Sequence, residues 1–433
     1  MEKDDYLIVV SIGNAEKANI TEKLLRQYSG SHNIVIDSDS ETGRRIGSGG
    51  FTLKAIKQYL QKHERIAIIL SGGLSKRSVG YSFVGKAFSD VRISGEDTLL
   101  IEPILQTVEK IMSGVENGVL LYCADILFEP FNPAALRGKN IGFAAYDSIE
   151  VGKNHGVMFP DKDKRLDKYV HKGGRALLEK LANQSGLSLI PVDTGTVFLN
   201  YETAENLFNI EKELDIVNTL TERNEELSLY EDIISPMANE SHICNPPDGQ
   251  SLFTGKIKEQ LFKTMHGKGL YIDVSEKGFF HFGTTEDYIR NIFRLTAPDS
   301  NVIISSEVGE DCRVGEKTVI CYSEIGGSSV IGNNCVINGF VGENVVIPDN
   351  TSVCSVRLND KTYVTVVSKI SSDFKGRING VAEWDSPMFY RDSSICGSYK
   401  KFISGADEEK VSLSFCSENA DYDYFLELKK TDG

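Results

Sequence analysis

The sequence predicts an α/β protein in which a Rossmann-like domain with a largely parallel sheet is followed by a left-handed parallel β-helix. Up to residue 297, short apolar runs alternate with stretches that carry apolar residues at helical spacing. Strands that alternate with helices in this way indicate a parallel sheet. From residue 298 onward, aliphatic residues recur every six positions, and this period is typical of a β-helix.

Apolar runs in the first 123 residues predict buried strands, and amphipathic segments between them predict helices. Ligands of parallel sheets bind at the carboxyl ends of the strands. The glycine-rich segments and Asp125 fall at such ends. The predicted strands are residues 6–10, 33–37, 65–70 and 118–123, and the predicted helices are residues 15–28 and 53–63.

The six-residue repeat predicts about three coils in which each aliphatic side chain points inward and stacks on the coil below. Glycine or asparagine is expected to turn the corners, where a positive φ is needed. The predicted domains are residues 1–297, a β-helix over 298–370, and a C-terminal cap or extension over 371–433. The predicted inward residues are Val302, Val308, Val314, Ile320, Ile325, Ile331, Ile337, Val341, Ile347 and Val353.

Composition excludes several classes of function. The 433-residue chain has a net charge of −15 and a pI near 5.1, so no nucleic-acid partner is expected, because an acidic surface repels phosphate backbones. No window reaches the roughly 18 apolar residues of a membrane span, and residues 1–5 are too acidic to open a signal peptide. The eight cysteines form no CxxC pair, which predicts free thiols. We therefore expect a cytoplasmic protein with no membrane partner.

The first glycine-rich segment is Gly47-Ser48-Gly49-Gly50, just before the predicted helix at residue 53. Glycines at a helix N-terminus leave backbone N–H groups open to an anion. The segment is therefore a candidate anion site, and a structural turn explains it equally well.

The second glycine-rich segment contains Gly72 and Gly73 and follows the strand that ends at Leu70. Arg77 and Lys86 come shortly after it and add positive charge in an otherwise acidic protein. Lysine supplies a point charge and arginine a two-pronged donor for phosphate. These residues are candidate phosphate ligands, and a solvated turn with incidental basic residues is the alternative.

Asp125 comes directly after the predicted strand 118–123. Mg²⁺ binds one or two carboxylates together with phosphate oxygens, so Asp125 is a candidate metal ligand. The alternative is an aspartate that caps the next turn.

Five later segments combine polar residues with the boundaries of predicted elements. Each of them alone is more often structural than functional. They are residues 154–159 with His155 and Gly156, residues 171–173 with Lys172, residues 193–195 with Asp193 and Gly195, residues 229–232 with Asp232, and residues 280–285 with His281.

Taken in order, these segments resemble one family. A glycine-rich loop followed by arginine and lysine is similar to the LAAGxGTRLxPxTxxxPK pattern of pyrophosphorylases that make nucleotide sugars. Here Ser75-Lys76 replaces Gly-Thr, Gly85 replaces the proline, and the spacing is one residue shorter. The narrower combination GSGG, SGGxSxR, GK, CAD, HGV, HK and HxGTT resembles the fucose-1-phosphate guanylyltransferase family, including the pyrophosphorylase half of bacterial bifunctional fucokinases. The resemblance runs from about residue 8 to Trp384 and implies a GT-A-like nucleotidyltransferase domain.

The resemblance also implies a role for each candidate residue. The guanine nucleotide would be bound by Gly47, Ser48, Gly49 and Gly50, and its phosphates by Gly72, Gly73, Arg77 and Lys86. Asp125 would hold Mg²⁺, Lys172 would contact the sugar phosphate, and His155, Gly156, Asp193 and Gly195 would line the sugar pocket.

His281 stands where relatives with a WxDTGT pattern have a metal-binding aspartate. We therefore expect His281 in the substrate pocket and Asp232 as the second metal ligand. The implied reaction transfers GMP from GTP to L-fucose 1-phosphate, giving GDP-L-fucose and pyrophosphate, with Mg²⁺ as cofactor. The β-helix would support the catalytic domain or form a contact between copies of the chain.

Three alternatives stand beside this interpretation. Another sugar 1-phosphate or another nucleotide would suit the same chemistry, because the guanine preference rests on the resemblance alone. The degenerate glycine loop also permits a non-catalytic sensor of GDP-sugars. A hexapeptide-repeat acyltransferase is disfavoured, since those enzymes use a histidine from the coils and the last histidine here is His281.

Overall fold

The computed structural model describes residues 6–12, 18–28, 33–38, 44–71, 76–83, 85–240, 252–296, 301–405, 408 and 410–428. This part of the chain forms two compact units. The first draws on the described parts of residues 1–18, 26–72 and 103–280, and the second on those of residues 19–25, 73–102 and 281–433. The described parts of residues 73–102, which the predicted boundaries assign to the first domain, belong to the second unit.

Strands and helices alternate up to residue 296. The strands are β1 (Leu7–Ile12), β2 (Asn33–Ser38), β3 (Arg65–Leu70), β4 (Asp90–Ile93), β5 (Glu96–Leu99), β6 (Gly118–Cys123), β7 (Ile126–Phe128), β8 (Ile141–Asp147), β9 (Gly156–Pro160), β10 (Leu166–His171), β11 (Ile190–Asn200), β12 (Tyr271–Ser275) and β13 (Phe279–His281). The α-helices are α1 (Ala18–Tyr28), α2 (Gly47–Tyr59), α3 (Val79–Ser82), α4 (Ile101–Gly114), α5 (Ile149–Gly152), α6 (Arg175–Gln184), α7 (Tyr201–Leu214), α8 (Ile216–Arg223), α9 (Leu252–Met265) and α10 (Thr285–Leu295).

Short strands dominate the chain after residue 301. They are β14 (Val302–Ile304), β15 (Glu307–Val308), β16 (Arg313–Val314), β17 (Val319–Cys321), β18 (Glu324–Ile325), β19 (Val330–Ile331), β20 (Val336–Asn338), β21 (Phe340–Val341), β22 (Val346–Ile347), β23 (Thr351–Arg357), β24 (Tyr363–Lys369), β25 (Arg377–Ile378), β26 (Val381–Ala382), β27 (Phe389–Asp392) and β28 (Lys410–Val411). The helices are α11 (Ile395–Ser404), α12 (Leu413–Asn419) and α13 (Tyr422–Leu428).

The first unit is built on one mixed sheet with the strand order β10-β9-β11-β6-β3-β1-β2. The strands β2, β1, β3 and β6 run parallel, as their apolar runs predict. In contrast, β11 pairs antiparallel with β6, β8 and β9. β1, β3 and β6 are buried along nearly their whole length, as expected for strands covered on both faces.

The carboxyl ends of the parallel strands are tied together. The backbone N–H of Ser71, after β3, donates to Ser11 Oγ of β1 at 2.9 Å. The N–H of Ala124, after β6, donates to the carbonyl of Leu70 at 3.2 Å. Asp125 therefore lies at the carboxyl edge of the parallel strands, where a ligand of such a sheet binds.

The six-residue repeat forms three parallel ladders, β14-β17-β20-β23, β15-β18-β21 and β16-β19-β22. This pairing is consistent with the predicted β-helix, and its left-handed sense stays a prediction. Val308 is 37 % exposed, since β15 is the edge strand of its ladder. The predicted inward residues that form one apolar core are Ile320, Ile325, Ile331, Ile337, Val341, Ile347 and Val353.

The corners of the ladders differ from the prediction. Asn334 and Asn350 have a positive φ, as predicted, but Gly309, Gly315 and Gly332 do not. The prediction that these glycines turn the corners is therefore wrong. A Cβ on Gly309, Gly315 or Gly332 would lie 2.5 to 2.6 Å from a backbone atom of a neighbouring coil. Glycine is needed there because the coils approach each other closely.

The sheet of β23 continues after the repeats. β24 pairs antiparallel with β23, and β27 and β28 follow it. α11 packs on the ladders through Tyr399, whose ring lies edge-on to Phe340 at 6.2 Å. Within the described residues, none of the helices has the length and apolar character needed to cross a membrane. Every cysteine that the structure describes is a free thiol, as predicted.

Candidate active site

Asp125 occupies a tight turn just beyond β6. Its Oδ1 accepts a hydrogen bond from Cys123 Sγ at 3.0 Å, and its side chain is half-buried. A half-buried carboxylate at the end of a parallel strand is the type of group that Mg²⁺ binds together with phosphate oxygens. Among the residues that the structure describes, no group of three or more His, Cys, Asp or Glu side chains is placed to hold a metal ion.

Asp193 is the second aspartate of this region, and it is 3 % exposed. Its Oδ2 accepts a hydrogen bond from the Tyr169 hydroxyl at 2.7 Å, and its Oδ1 accepts one from the backbone N–H of Gly195 at 2.7 Å. Burial raises the pKa of Asp193 to about 6, although these two donors and the charge of His171 act in the opposite direction. Asp193 is therefore a buried carboxyl group with a pKa above that of an exposed aspartate.

A bulge in β11 brings Gly195 next to the end of β6. The pairing of β11 with β8 shifts register between Asp193 and Thr196, and Gly195 has a φ of +68°. A Cβ on Gly195 would lie 2.9 Å from the Tyr230 hydroxyl and 3.0 Å from Cys123 Cβ. Glycine is required here both for the backbone angle and for the space.

Three aromatic rings form a row beside Asp193. The rings of Tyr169 and His171 are stacked with centroids 6.5 Å apart, and those of His171 and Tyr230 are stacked at 5.7 Å. His171 Nδ1 lies 3.1 Å from Glu231 Oε1. Burial raises the pKa of Tyr169 and Tyr230 well above the ordinary value, so both hydroxyls stay protonated near neutral pH.

Gly156 makes room for the contact between Tyr169 and Asp193. It begins β9 and pairs with His171 across the β9–β10 hairpin. A Cβ at this position would lie 2.4 Å from the Tyr169 hydroxyl oxygen and 3.0 Å from Asp193 Cβ. The structure thus brings together Gly156, Asp193 and Gly195, three of the residues for which the resemblance implies a sugar pocket.

His155 and Lys172 flank the same hairpin. The backbone N–H of Lys172 donates to the carbonyl of His155 at 2.8 Å. Lys172 has a φ of +50°, and its side chain is exposed. The ring of His155 packs edge-on against Phe279 at 5.4 Å. Lys172 therefore carries an exposed cation at the end of the strand that bears Tyr169 and His171.

The segment Gly47–Gly50 forms the first turn of α2, which begins six residues before the predicted helix at 53. The N–H of Gly49 donates to the carbonyl of Leu227 at 2.9 Å, and Ser48 Oγ accepts from the N–H of Leu229 at 3.1 Å. A Cβ on Gly47 would lie 2.3 Å from the Leu227 carbonyl oxygen. This packing accounts for the glycines, and their role in nucleotide binding stays a prediction.

Asp232 is 4 % exposed and lies in a π-helical turn, Leu229–Ile234. Its Oδ1 lies 3.1 Å from Lys258 Nζ, and its Oδ2 accepts from the N–H of Ser228 at 2.7 Å. Burial raises the pKa of Asp232, and the charge of Lys258 opposes that effect. Both carboxylate oxygens are engaged in anchoring this turn, and a role for Asp232 as metal ligand stays a prediction.

Arg77 and Lys86 belong to the second unit. The Arg77 carbonyl accepts from the N–H of Thr285 at 2.9 Å. Lys86 follows Gly85, which has a φ of +97°, and begins a short 3-10 turn. Both side chains are half-buried. Gly72 and Gly73, predicted to bind phosphates, lie outside the described residues.

His281, also assigned to the second unit, forms an ion pair with Asp287. His281 Nδ1 lies 3.3 Å from Asp287 Oδ2, and Thr284 Oγ1 accepts from the N–H of Asp287 at 2.9 Å. Burial acts to raise the pKa of Asp287, but the hydrogen bond and charge of His281, with Thr284 and Arg290, lower it to about 2. His281 thus helps to hold the start of α10, and a role in the substrate pocket stays a prediction.

Comparison with known proteins identifies the family. The model of the fucose pyrophosphorylase domain matches residues 58–406, well over half of the chain. The chain belongs to the fucose pyrophosphorylase family. The resemblance deduced from the motifs is thereby confirmed, and the chain is an enzyme of the nucleotidyltransferase class.

Relatives in this family are distant in sequence, and the chain covers most of the mouse and human proteins but about a third of the plant one. Fucose-1-phosphate guanylyltransferase of Mus musculus is 22 % identical over 417 residues, covering 80 % of this chain and 70 % of the relative. The protein of the same name from Homo sapiens is 23 % identical over 454 residues, covering 87 % and 73 %. Bifunctional fucokinase/GDP-fucose pyrophosphorylase of Arabidopsis thaliana is 22 % identical over 386 residues, covering 72 % and 36 %.

Sequence reasoning missed several side chains of this family member's candidate site. Tyr169 contacts Asp193 yet belongs to none of the motifs, although its spacing from His171 places both on one face of β10. The segment 229–232 was selected for Asp232, whereas Tyr230 and Glu231 are the residues that reach His171. The two-residue spacing between Tyr169 and His171 was the available signal for Tyr169, and no sequence signal linked Tyr230 to Tyr169.

Proposed function

We propose that this chain transfers GMP from GTP to L-fucose 1-phosphate, giving GDP-L-fucose and pyrophosphate. The observation that carries the proposal is a cluster of contacts at the carboxyl end of β6. Gly195 packs against the Tyr230 hydroxyl and Cys123, Cys123 donates to Asp125, and the N–H of Gly195 donates to Asp193. Ligands of sheets with parallel strands bind at this edge. The names of the mouse and human relatives support the choice of sugar and nucleotide.

In the proposed reaction, a phosphate oxygen of the sugar 1-phosphate attacks the α-phosphorus of GTP in line. The bond from the α-phosphorus to the oxygen bridging the α- and β-phosphates breaks, and pyrophosphate leaves. No covalent enzyme intermediate is required. The protein contributes position and charge stabilisation, which account for most of the catalysis in phosphoryl transfer.

Asp125 is proposed to hold Mg²⁺. Asp125 suits this role because it is a half-buried carboxylate at the end of β6. Mg²⁺ needs only one or two protein carboxylates when phosphate oxygens complete its coordination shell. The bound ion would offset the negative charge of the triphosphate. Arg77 and Lys86 are proposed as phosphate ligands on the resemblance alone.

Asp193 is proposed to position the sugar pocket without touching the sugar. Its two oxygens already accept hydrogen bonds from Tyr169 and Gly195, and almost none of its surface reaches solvent. It therefore fixes the Tyr169 hydroxyl and the bulge. The half-buried pair of His171 and Glu231 is proposed to bind sugar hydroxyls, and the exposed Lys172 to contact the sugar phosphate.

Pyrophosphate release with GTP and L-fucose 1-phosphate tests the proposal. The same assay with ATP, UTP and CTP, and with other sugar 1-phosphates, measures the preference. We expect GTP and L-fucose 1-phosphate to give the highest kcat/KM. Equal or higher kcat/KM with another pair would overturn the assignment of guanine or fucose.

Two substitutions test the proposed roles in the chemical step. Lys86→Ala and Asp125→Ala are each expected to lower turnover by about 100-fold or more, a loss of about 2.7 kcal/mol in transition-state stabilisation. Lys153→Ala and Asp163→Ala remove the same charges from exposed positions and should leave turnover unchanged. Near-normal turnover in a folded Lys86 or Asp125 variant would remove that residue from the mechanism.

A further inference from the structure

A cavity lies in the second unit, on the face of the repeat region that carries β15, β18 and β21. Its volume is about 510 Å³, and it lies between these ladders and side chains of α11 and α13. This volume suits a small molecule. No residue assigned by the motifs or the family resemblance lines it, so the cavity shares no lining residue with the candidate active site.

Aromatic side chains form much of the cavity wall. They are Tyr322, Phe340, Tyr363 and Tyr424. The Arg357 guanidinium lies over the Tyr424 ring at 4.6 Å, and Arg357 Nε lies 3.6 Å from Asp421 Oδ2, so Tyr424 is held in place. A wall of aromatic rings with polar groups at its rim offers apolar surface and hydrogen bonds to the same ligand.

Tyr322 is held in a costly backbone conformation. Its φ is +48° at a corner of the repeat region, and a bulky side chain rarely adopts this left-handed conformation. Ser305 and Gly339 occupy the same corner of the neighbouring coils, as the pairing of β14, β17 and β20 shows. These small neighbours leave space beside the ring, and all three residues line the cavity. Strain of this kind is often found at ligand sites.

Two glutamates give the cavity a negative rim. Glu307 and Glu324 face each other as a pair between β15 and β18, both are exposed, and both line the cavity. Like charges paired across neighbouring strands destabilise a sheet. Carboxylates accept hydrogen bonds from hydroxyl groups and repel phosphates and carboxylates. The rim therefore favours an uncharged ligand with several hydroxyl groups.

We propose that this cavity binds a neutral monosaccharide, with the sugar ring packed beside Tyr322 and its hydroxyl groups donating to Glu307 and Glu324. This site is a binding site and takes no part in the chemical step. The ligand has few atoms, so the dissociation constant is expected on the order of 1 mM. The proposal does not depend on which nucleotide or sugar phosphate the enzyme uses.

Hydrogen exchange of the full chain, followed by mass spectrometry, locates the ligand. L-fucose, D-mannose and D-glucose are the probes, and L-fucose 1-phosphate and guanosine are the comparison ligands. At least one neutral sugar should slow exchange in residues 322–324 and 338–341. Protection of these residues by L-fucose 1-phosphate or guanosine in preference to the neutral sugars would overturn the proposal, as would no protection by any sugar.

Tyr322→Asn tests sugar binding without destabilising the fold. Asparagine adopts the left-handed conformation readily, so the thermal midpoint should be unchanged or higher, whereas sugar affinity should fall by about tenfold. Ser328→Asn is the matched control, because Ser328 is a left-handed corner that does not line the cavity. Unchanged sugar protection in the Tyr322 variant would refute the site.

Glu324→Gln provides a second variant in case Tyr322→Asn lowers the thermal midpoint. It removes one charge of the facing pair, so the midpoint should not fall. It also replaces a strong acceptor at the rim with a weaker one, so sugar affinity should decrease. Full sugar affinity in this variant would contradict the proposed contacts.

Discussion

Asp193→Asn should abolish a pH dependence of stability that the wild-type chain carries. Burial raises the pKa of Asp193 to about 6 in the folded chain, compared with about 3.9 for an unfolded aspartate. Between these pH values the folded state binds more protons than the unfolded state. A raised pKa gives stability that is fully present below the unfolded value and is lost as the pH rises through the folded value. The free energy of unfolding of the wild type should therefore fall across this window.

The size of this effect follows from the burial of the side chain. A difference of about 2 pKa units corresponds to about 3 kcal/mol, and most of it is lost between about pH 4 and pH 7. Asp193 is only 3 % exposed, so solvent screening removes little of it. Asparagine does not ionise, so this pH-dependent part of the free energy of unfolding disappears in the variant. Any other effect of the substitution on stability is the same at every pH.

Urea unfolding of both proteins at pH 4, 5, 6 and 7 measures the effect. The free energy of unfolding of the variant minus that of the wild type should rise by about 2–3 kcal/mol from the lowest to the highest pH. Tyr169→Phe removes a donor that lowers the Asp193 pKa, so it should move the window to higher pH. Asp163→Asn, at an exposed turn, should behave as the wild type. A difference that stays constant across this range would show that Asp193 keeps an ordinary pKa.

Two further predictions concern backbone packing and the start of α10. Gly47→Ala should destabilise the fold by more than about 1 kcal/mol, because its Cβ would lie 2.3 Å from the Leu227 carbonyl at a φ of +77°. Gly255→Ala lies in α9, with no atom within 4 Å of the new Cβ, and should stabilise the fold by about 0.5–1 kcal/mol. Thermal unfolding compares the two variants, and a similar loss of stability in both would contradict the packing argument. The pKa of Asp287 is lowered to about 2, and its side chain is 17 % exposed. Its ionised form therefore contributes about 2–3 kcal/mol to the free energy of unfolding above pH 4, and this contribution is lost as the pH falls through 2. Asp287→Asn should lose this contribution at neutral pH and show a shallower acid transition, and an unchanged acid transition would refute the assignment.

The repeat region was the most predictable part of the fold. The period of six marks inward positions directly, because each aliphatic residue must lie on its counterpart in the next coil. The sequence alone did not explain why glycine is needed in the repeats. Gly309 and Gly315 follow inward residues at regular intervals, and this regularity fits a left-handed corner as well as it fits close approach of a neighbouring coil. These two explanations can be distinguished only by the distance between neighbouring coils in the structure.

The parallel half of the sheet was also predictable, and the antiparallel half was not. β1, β3 and β6 are nearly continuous apolar runs, as expected for buried parallel strands. β10 instead mixes polar and apolar residues without a regular pattern, and β11 contains a bulge at Asp193. The candidate site lies where these two strands meet the end of β6. Its central contact joins Tyr169 to Asp193 across strands whose order in the sheet cannot be read from the local sequence.

Two motifs that lie far apart in the sequence, residues 47–50 and residues 229–232, are linked in the structure. The glycines at the start of α2 pack against Leu227, and Ser48 accepts a hydrogen bond from the N–H of Leu229. The next residues of that segment, Tyr230 and Glu231, reach His171 in the candidate site. Since the same short segment caps a helix and supplies side chains to the site, displacing α2 would displace those side chains. The glycine-rich segment therefore has a reason to persist in an active enzyme even where it touches no nucleotide.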